Sequence, residues 1–172
     1  VTTADQSAKR TYPYQTTAAG KKVFWSRGNG WAFAGIARIL NYLPQDHANW
    51  KKYEVVFKNM SQSLKARQRE DGYWPMNLDD QEDFPYKETS GTGFFTYGLA
   101  WGINNGILDR EEYEPTVRKA WSALVEAVSD EGKVQWGQLV GGSPFVVKQE
   151  HSHEYVTGMF LLAASEVYKM DF

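Results

Sequence analysis

The chain of 172 residues contains no cysteine, which excludes disulfides, thiolate metal sites and a cysteine nucleophile within it. Long hydrophobic runs are also missing, and none approaches the length of about 20 residues that a membrane-spanning helix needs. No signal or lipidation segment is recognisable. We therefore expect a soluble protein without a membrane partner. The first residue is valine rather than methionine, so we also expect a processed or truncated piece.

Concentrated positive charge is absent as well. The chain carries 19 Lys and Arg against 21 Asp and Glu, a net charge of −2, and no long basic run. Nucleic-acid binding favours a basic patch or stripe. We therefore expect no nucleic-acid partner.

Aromatic residues, in contrast, are abundant. They make up 15% of the chain, including 7 Trp and 10 Tyr, within a hydrophobic fraction of 42%. This is enough apolar material for one core, and the length suits a single domain. Carbohydrate-binding clefts are often rich in aromatic residues, but ordinary cores are too, so composition leaves both interpretations open.

Helical periodicity predicts an all-α fold. Apolar residues recur at three- and four-residue spacings in five segments, at about 30–43, 47–69, 88–104, 110–128 and 153–170. Asp46 and Asp109 are the predicted N-caps of the second and fourth helices. The remaining segments are predicted to be a lead-in loop, two short extended or strand-like pieces and an acidic loop, at 1–23, 73–76, 134–139 and 77–87.

The helices repeat with a period of about sixty residues. The segment at Trp25 aligns with that at Glu88 after 63 residues, and the segment at Glu88 aligns with that at Glu150 after 62. Helices that are apolar nearly all round alternate with helices that have one apolar stripe. This pattern predicts an array of helical hairpins in an inner and an outer layer, as in an α/α toroid.

Only about two and a half hairpins are present, and an open half-ring would expose both flanks of its inner layer. We therefore expect either a missing partner piece or self-association. The starts of the inner helices would lie at one end of the ring, where loops converge. This arrangement brings together Trp25, Arg27, Glu88, His151 and His153.

The most informative stretch is residues 24–31, Phe-Trp-Ser-Arg-Gly-Asn-Gly-Trp, which we predict to form a turn before the first helix. Glycines permit close approach or positive φ. The arginine fork suits a carboxylate, and indole faces can stack on a sugar ring. These residue types favour the interpretation that the stretch forms one wall of a site for an acidic sugar. The wall would consist of Trp25, Arg27, Asn29 and Trp31. The equally weighted alternative places the tryptophans in the core and makes Arg27 a cap.

This stretch resembles the central motif of glycoside hydrolase family 105 and its family 88 relatives, the unsaturated glucuronyl and rhamnogalacturonyl hydrolases. Residues 87–94 and 158–166 resemble further parts of that family, and the resemblance runs from about residue 10 onward. It implies an (α/α)6 toroid of about twice this length. Residues 1–172 would be a single partial domain, its C-terminal half, in a protein of the bacterial cytoplasm or periplasm.

The resemblance also implies an activity. These enzymes act on the unsaturated uronic-acid oligosaccharides left by polysaccharide lyases, by hydration of the C4–C5 double bond and without a cofactor. Arg27 would pair with the uronate carboxylate, and Trp25 and Trp31 would enclose the sugar. The family's catalytic aspartate belongs to an earlier hairpin, so the catalytic residue stays unassigned. None of the aspartates in the loops of this chain lies in a sequence context that suits the catalytic role. They are Asp5, Asp71, Asp79, Asp80 and Asp83.

Several other residues allow two interpretations. Glu88 could touch substrate or cap its helix. His151 and His153 could bind sugar hydroxyls or be ordinary loop residues, and together with His47 they do not form a metal-ligand set, so we expect no metal. For the acidic run at 79–83 a solvated loop is favoured over a calcium site.

Two other functional classes remain open. A non-catalytic carbohydrate-binding or scaffold protein would keep the sugar-binding wall without the acid. Another toroid enzyme, such as a terpene cyclase or an epimerase, would need acidic residues on its inner helices, and the inner helices here have almost none.

Overall fold

The structure is a computed structural model that describes residues 16–17 and 19–171. Its helices are α1 (Ser26–Tyr42), α2 (Trp50–Lys65), α3 (Thr89–Asn104), α4 (Arg110–Glu126) and α5 (Glu154–Val167), followed by a 3-10 turn at Tyr168–Met170. The predicted all-α class is confirmed. Most of the predicted lead-in loop, and Asp5 with it, lies outside the described residues.

The N-terminal end of α1 differs from the prediction. The helix begins at Ser26, four residues early, so residues 26–31 of the stretch predicted to be a turn are helical and both of its glycines lie inside a helix. Glycine is a poor helix former, and here packing outweighs propensity. A Cβ on Gly30 would lie 2.8 Å from the Cβ of Phe94, so glycine serves the close approach of α1 and α3.

Capping side chains account for two helix starts that the sequence predicted well. The Glu88 carboxylate caps α3, and Asp109 caps α4 by accepting a hydrogen bond of 2.7 Å from the Glu112 amide. The predicted start of α2 at His47 with Asp46 as its cap is wrong. Residues 44–49 form a turn instead, in which the His47 amide donates to the carbonyl of Pro44 at 3.0 Å.

The central helix α3 is the most buried element. It packs between α1 and α5, while α2 lies on α1 and α4 lies on α3. Every residue from Thr89 to Ile103 is buried. In contrast, α1 and α5 each have one inner neighbour among the described helices, and they expose large apolar side chains such as Tyr42 and Leu161. The two-layer prediction is therefore confirmed, with open flanks on its inner layer.

An aromatic core joins α1, α2 and α3. The Phe33 ring stacks on Phe57 with centroids 4.6 Å apart, and Trp101 meets Phe57 edge-on at 5.6 Å. Trp74, in the loop after α2, is fully buried and donates to the Leu64 carbonyl at 2.7 Å. These contacts hold α1 against α3 and so fix the relative position of their N-terminal ends.

Some finer predictions are wrong. Val56 and Val125, placed in the apolar stripes of the second and fourth helices, are 46% and 48% exposed. The segment 134–139 forms no strand, because Val134 makes only a single bridge, to Val128. The segment instead crosses the start of α3, where the Thr89 amide donates to the Trp136 carbonyl at 3.1 Å. None of the described helices combines the length and the apolar composition needed to cross a bilayer.

Candidate functional site

A small cavity lies where the N-terminal ends of the inner helices meet. Its volume is about 190 Å³, and its walls are formed by Trp25, Arg27, Trp31, Val140, Gly141 and Tyr155. A larger depression of about 490 Å³ is lined by residues 68–71, 81–82 and 85. That depression has no aromatic lining, and its Arg69 is paired with Asp71 at 2.8 Å. We therefore take the smaller cavity as the candidate site.

Arg27 is buried between two aromatic rings. It is only 3% exposed, and its guanidinium carbon lies 4.7 Å from the ring centre of Trp25 and 5.0 Å from that of Tyr155. Burial lowers the pKa of Arg27, but an arginine keeps its charge at neutral pH. Such stacking on ring faces stabilises a desolvated cation.

Hydrogen bonds within the protein use some of the N–H donors of the Arg27 guanidinium. Nη1 donates to the Tyr155 hydroxyl at 2.6 Å and to the carbonyl of Gln138, and Nη2 donates to the carbonyl of Leu139 at 3.0 Å. Within residues 16–17 and 19–171, these bonds leave two of the five N–H donors for a ligand. Arg27 is therefore not a helix cap, and its pairing with a substrate carboxylate stays a prediction that has two donors available.

The two tryptophans differ in their surroundings. The indole Nε1 of Trp25 donates to Oε1 of Gln138 at 2.8 Å. Trp31 is 53% exposed and rests against Phe94, with ring centroids 4.3 Å apart. The alternative in which both are core residues is wrong for Trp31. Its free face is available to a ligand.

Asn29 acts within the first turn of α1. Its side-chain nitrogen donates to the Trp25 carbonyl at 2.9 Å, and its amide donates to the same oxygen at 3.0 Å. The side chain does not line the cavity. Its contact places it behind Trp25, while a direct role in sugar binding stays a prediction.

Glu88 is fully buried at the start of α3. Its oxygens accept hydrogen bonds from the Ser90 amide at 2.8 Å, the Gly91 amide at 2.7 Å and the Gln138 amide at 3.3 Å, and also from the Ser90 hydroxyl. A carboxylate at this position is favoured by the helix dipole. Of the two interpretations, the helix cap is confirmed, and Glu88 does not line the cavity.

The two predicted histidines lie in the segment before α5 and do not line the cavity. His153 precedes α5, stacks on Tyr155 with ring centroids 4.8 Å apart, and places Nδ1 2.6 Å from a carboxylate oxygen of Glu154. The His151 ring accepts a hydrogen bond of 3.3 Å from the Lys148 amide, and burial lowers its pKa. Contacts of either histidine with a sugar stay predictions.

The acidic loop is tied to the rest of the protein. Asp79 pairs with Arg67 at 2.7 Å, and Asp83 accepts a hydrogen bond of 3.1 Å from the Asn77 side chain. Asp80 is buried, and its pKa is lowered by a hydrogen bond from Thr17 and by nearby Lys21. The loop is thus less solvated than predicted. Over residues 16–17 and 19–171, no three His, Asp or Glu side chains cluster as metal ligands would.

The sequence pattern did not mark Gln138 or Tyr155, although both contact Arg27. Tyr155 could have been found from the internal repeat in its correct register. The residues before the inner helices are Trp25, Glu88 and His153, which are separated by 63 and 65 residues. The predicted offset of 62, which placed Glu150 over Glu88, is therefore wrong by three residues.

In the observed register, Tyr155 has the same position on α5 as Arg27 has on α1 and Ser90 has on α3. Burial raises the pKa of Tyr155, so its hydroxyl stays protonated and donates to the Gln138 carbonyl. No comparable signal marks Gln138. It lies in a loop whose path depends on contacts with α3 and α5.

Comparison with known proteins assigns the family. Residues 4–171 match the model of Glycosyl Hydrolase Family 88. An unsaturated 3S-rhamnoglycuronyl hydrolase from Alteromonas sp. (strain LOR) is 50% identical over 148 residues, which are 86% of this chain and 36% of that protein. The protein of the same name from Formosa agariphila is 44% identical over 151 residues, with coverage of 88% and 40%.

The fold agrees with a solved structure, a glycosyl hydrolase family 88 protein from Bacteroides vulgatus. The TM-score is 0.86 at 44% identity, over 93% of this chain and 47% of that one. The chain thus spans less than half the length of these relatives. Its helices are the hairpins of an α/α toroid, with about half of the ring present. The sequence match and the fold together show that the chain belongs to Glycosyl Hydrolase Family 88.

Proposed function

We propose that this chain is the sugar-binding half of a hydrolase for unsaturated uronic-acid oligosaccharides, the products of polysaccharide lyases. The observation that carries the proposal is a cavity whose walls combine the rings of Trp25 and Trp31 with the buried cation of Arg27. Flat rings suit the faces of a sugar, and the cation favours a carboxylated one. Two relatives named unsaturated 3S-rhamnoglycuronyl hydrolases support the same substrate class.

The reaction we propose is hydration of the C4–C5 double bond. A carboxylic acid gives a proton to C4, water adds at C5, and the resulting hemiketal opens and releases the next sugar. The acid must be protonated for the first step and ionised to accept a proton from water, so its pKa needs tuning. No aspartate lines the described cavity. We therefore assign the acid to the part of the ring that this chain does not span.

Individual side chains receive distinct roles in this proposal. The faces of Trp25 and Trp31 enclose the sugar, and the two free donors of Arg27 bind its carboxylate. We assign contacts with sugar hydroxyls to the imidazoles of His151 and His153, of which His153 stacks on the cavity residue Tyr155. Asn29 and Glu88 act indirectly, because their contacts hold Trp25 and the start of α3.

We further propose that another inner helix completes each flank of the layer, so that residues 1–172 form a partial domain. A Cβ on Gly30 would lie 2.8 Å from Phe94 of the next inner helix, and one on Gly93 would lie 3.1 Å from Met159. The equivalent Gly158 of α5 has no described atom within 4 Å of that position. A large side chain from the other half of the ring, or from a second copy, would fill this notch.

Ring completion is tested by measuring the mass of the 172-residue chain in solution, alone and mixed with the N-terminal part of the full-length protein. A complex in either sample supports the proposal, and Gly158→Leu should weaken it. Lys52→Leu is the control, because that side chain is exposed on the outer helix α2 and not on a flank of the inner layer. A chain that stays monomeric in both samples would contradict ring completion.

The proposed activity is tested by ultraviolet absorbance, because the C4–C5 double bond absorbs and hydration abolishes it. We expect full-length protein to remove the absorbance of a lyase digest, and this chain alone to leave it unchanged. Arg27→Ala in the full-length protein should lower turnover, whereas Arg67→Ala, at an exposed arginine paired with Asp79, should not. Unchanged turnover in Arg27→Ala would contradict the proposal.

A second candidate function is carbohydrate binding without catalysis, and the lack of an acid in the described cavity favours it. Calorimetry separates the two proposals. Binding of uronic-acid oligosaccharides by the full-length protein without loss of absorbance would support the binding function. Absence of both binding and turnover would contradict both.

A further inference from the structure

Gln138 joins both walls of the cavity through its side chain, which is fully buried. Its Oε1 accepts the indole hydrogen of Trp25 at 2.8 Å, and its Nε2 donates to the carbonyl of Ser143 at 2.8 Å. The first bond fixes the edge of a ring that faces the cavity. The second fixes the loop that carries Val140 and Gly141, which form the opposite wall.

The main chain of Gln138 makes a second set of contacts. Its amide donates to the Glu88 carboxylate at 3.3 Å, and its carbonyl accepts hydrogen bonds from Arg27 and from the Tyr155 hydroxyl. One buried residue thus links the starts of α1, α3 and α5. Buried polar networks in which every group has a partner rigidify their surroundings.

The backbone that leads into Gln138 is strained and firmly held. Trp136 has a φ of 58°, a left-handed conformation that bulky residues rarely adopt. Its amide donates to the Gln149 carbonyl at 3.1 Å, and the Gly137 amide donates to the His151 carbonyl at 2.9 Å. Strain of this kind persists only where the surrounding contacts impose it, and it is frequent at ligand sites.

We propose that Gln138 is a positioning residue of the sugar site, which holds the Trp25 ring and the loop at 139–143 in the arrangement that receives the ligand. The inference rests on the proposed function. Gln138 does not line the cavity, so it acts on the ligand only through the residues it holds. Groups fixed in advance lose less freedom when a ligand binds, and this raises affinity.

The test is Gln138→Met in the full-length protein, because methionine keeps the volume but cannot make the two side-chain hydrogen bonds. We expect about tenfold weaker binding of unsaturated uronic-acid disaccharides, seen as a higher KM with kcat nearly unchanged, from the loss of the two side-chain hydrogen bonds and the release of the ring. Gln149→Met is the matched control. That side chain is exposed and donates to the Gln135 side chain at 3.3 Å.

A spectroscopic signal tests the contact itself. The Trp25 indole N–H resonance in an ¹H–¹⁵N spectrum, assigned with Trp25→Phe, should move in Gln138→Met and stay in place in Gln149→Met. The other indole resonances should keep their positions, which separates a local change from unfolding. Wild-type affinity in Gln138→Met would overturn the inference even if the indole resonance moved.

A second variant keeps the inference testable if Gln138→Met does not fold. Gln138→Glu retains an oxygen that accepts from Trp25, replaces the donor to Ser143 by a second oxygen and adds a buried carboxyl group. We expect its indole resonance to stay near the wild-type position and its affinity to lie between those of the wild type and Gln138→Met. A Gln138→Glu protein with wild-type affinity and a displaced indole resonance would contradict the inference. If wild-type protein binds no uronic-acid oligosaccharide, the proposed function itself fails.

Discussion

The middle of α1 and its N-terminal end bury aromatic groups by different means. In the middle, Phe33 packs between rings from α2 and α3 and needs no polar partner. At the end, Arg27 lies between Trp25 and Tyr155, and each of the three is hydrogen-bonded to Gln138. Apolar packing depends on volume, whereas a buried polar network depends on every donor meeting an acceptor.

This difference suggests a division of labour. The aromatic core supplies the free energy of folding, since burial of apolar area is non-directional. The polar end adds little net stability, because its groups give up hydrogen bonds to water. It instead fixes side-chain orientation next to the cavity. Substitutions in the two regions should therefore change different observables.

The largest expected effect is in the core. Phe33→Ala should lower the free energy of unfolding by about 3–5 kcal/mol, because Phe33 is fully buried and the truncation leaves a cavity. Urea titration measures this loss. Below the unfolding transition the remaining folded protein should bind sugar with near wild-type affinity. A large fall in affinity without a fall in stability would break the proposed division between the regions.

Glu88→Ala should affect both observables. It removes the cap of α3 and leaves the Gln138 amide without its acceptor, at a cost of about 1–3 kcal/mol in the free energy of unfolding. Affinity for unsaturated disaccharides should fall as well, because Gln138 contacts Arg27 and Trp25. Asp109→Ala removes the cap of α4 and serves as the control, since that side chain is exposed and follows the end of α3 that is opposite to Glu88. Equal loss of affinity in both variants would contradict a local effect.

Trp31→Ala should change affinity and hardly change stability. The side chain is 53% exposed and rests mainly on Phe94, so its removal leaves no enclosed cavity. We expect roughly tenfold weaker sugar binding from the loss of a stacking face. Calorimetry and urea titration on the same sample measure the two effects. Trp31→Phe should recover part of the affinity, and failure to do so would indicate a role other than stacking.

The smallest expected effect is a pH dependence at the polar end. Burial lowers the pKa of His151 below its ordinary value of 6.5, so the folded state disfavours the protonated ring. The unfolded state then binds more protons, and stability should fall as the pH drops through 6.5 and below. His151→Gln should show a smaller decrease between pH 7.5 and pH 5 in urea titrations. An identical decrease of the free energy of unfolding in both proteins would show that His151 is not the source of the pH dependence.

The contrast between the two regions also explains which predictions from sequence succeeded. The buried helix α3 and the outer helix α4 were located within one or two residues, since apolar periodicity and the caps Glu88 and Asp109 are local signals. The start of α1 was missed, because two glycines argue against a helix, and only the structure shows that Phe94 occupies the space beside Gly30. The third copy of the repeat was placed three residues out of register, because Glu150 matches Glu88 in residue type whereas His153 precedes the helix.

For the site, the sequence by itself determined the cavity residues on α1. The stretch from Trp25 to Trp31 carries its chemistry in consecutive residues, and so it could be read directly and matched to a family. Only the tertiary structure decided which residues form the opposite wall of the cavity and which groups the Arg27 guanidinium donates to. Tyr155 and Gln138 lie more than one hundred residues away along the chain. Their contacts depend on how α3 and α5 pack against α1, and long-range packing leaves no local pattern from which a hydrogen bond can be predicted.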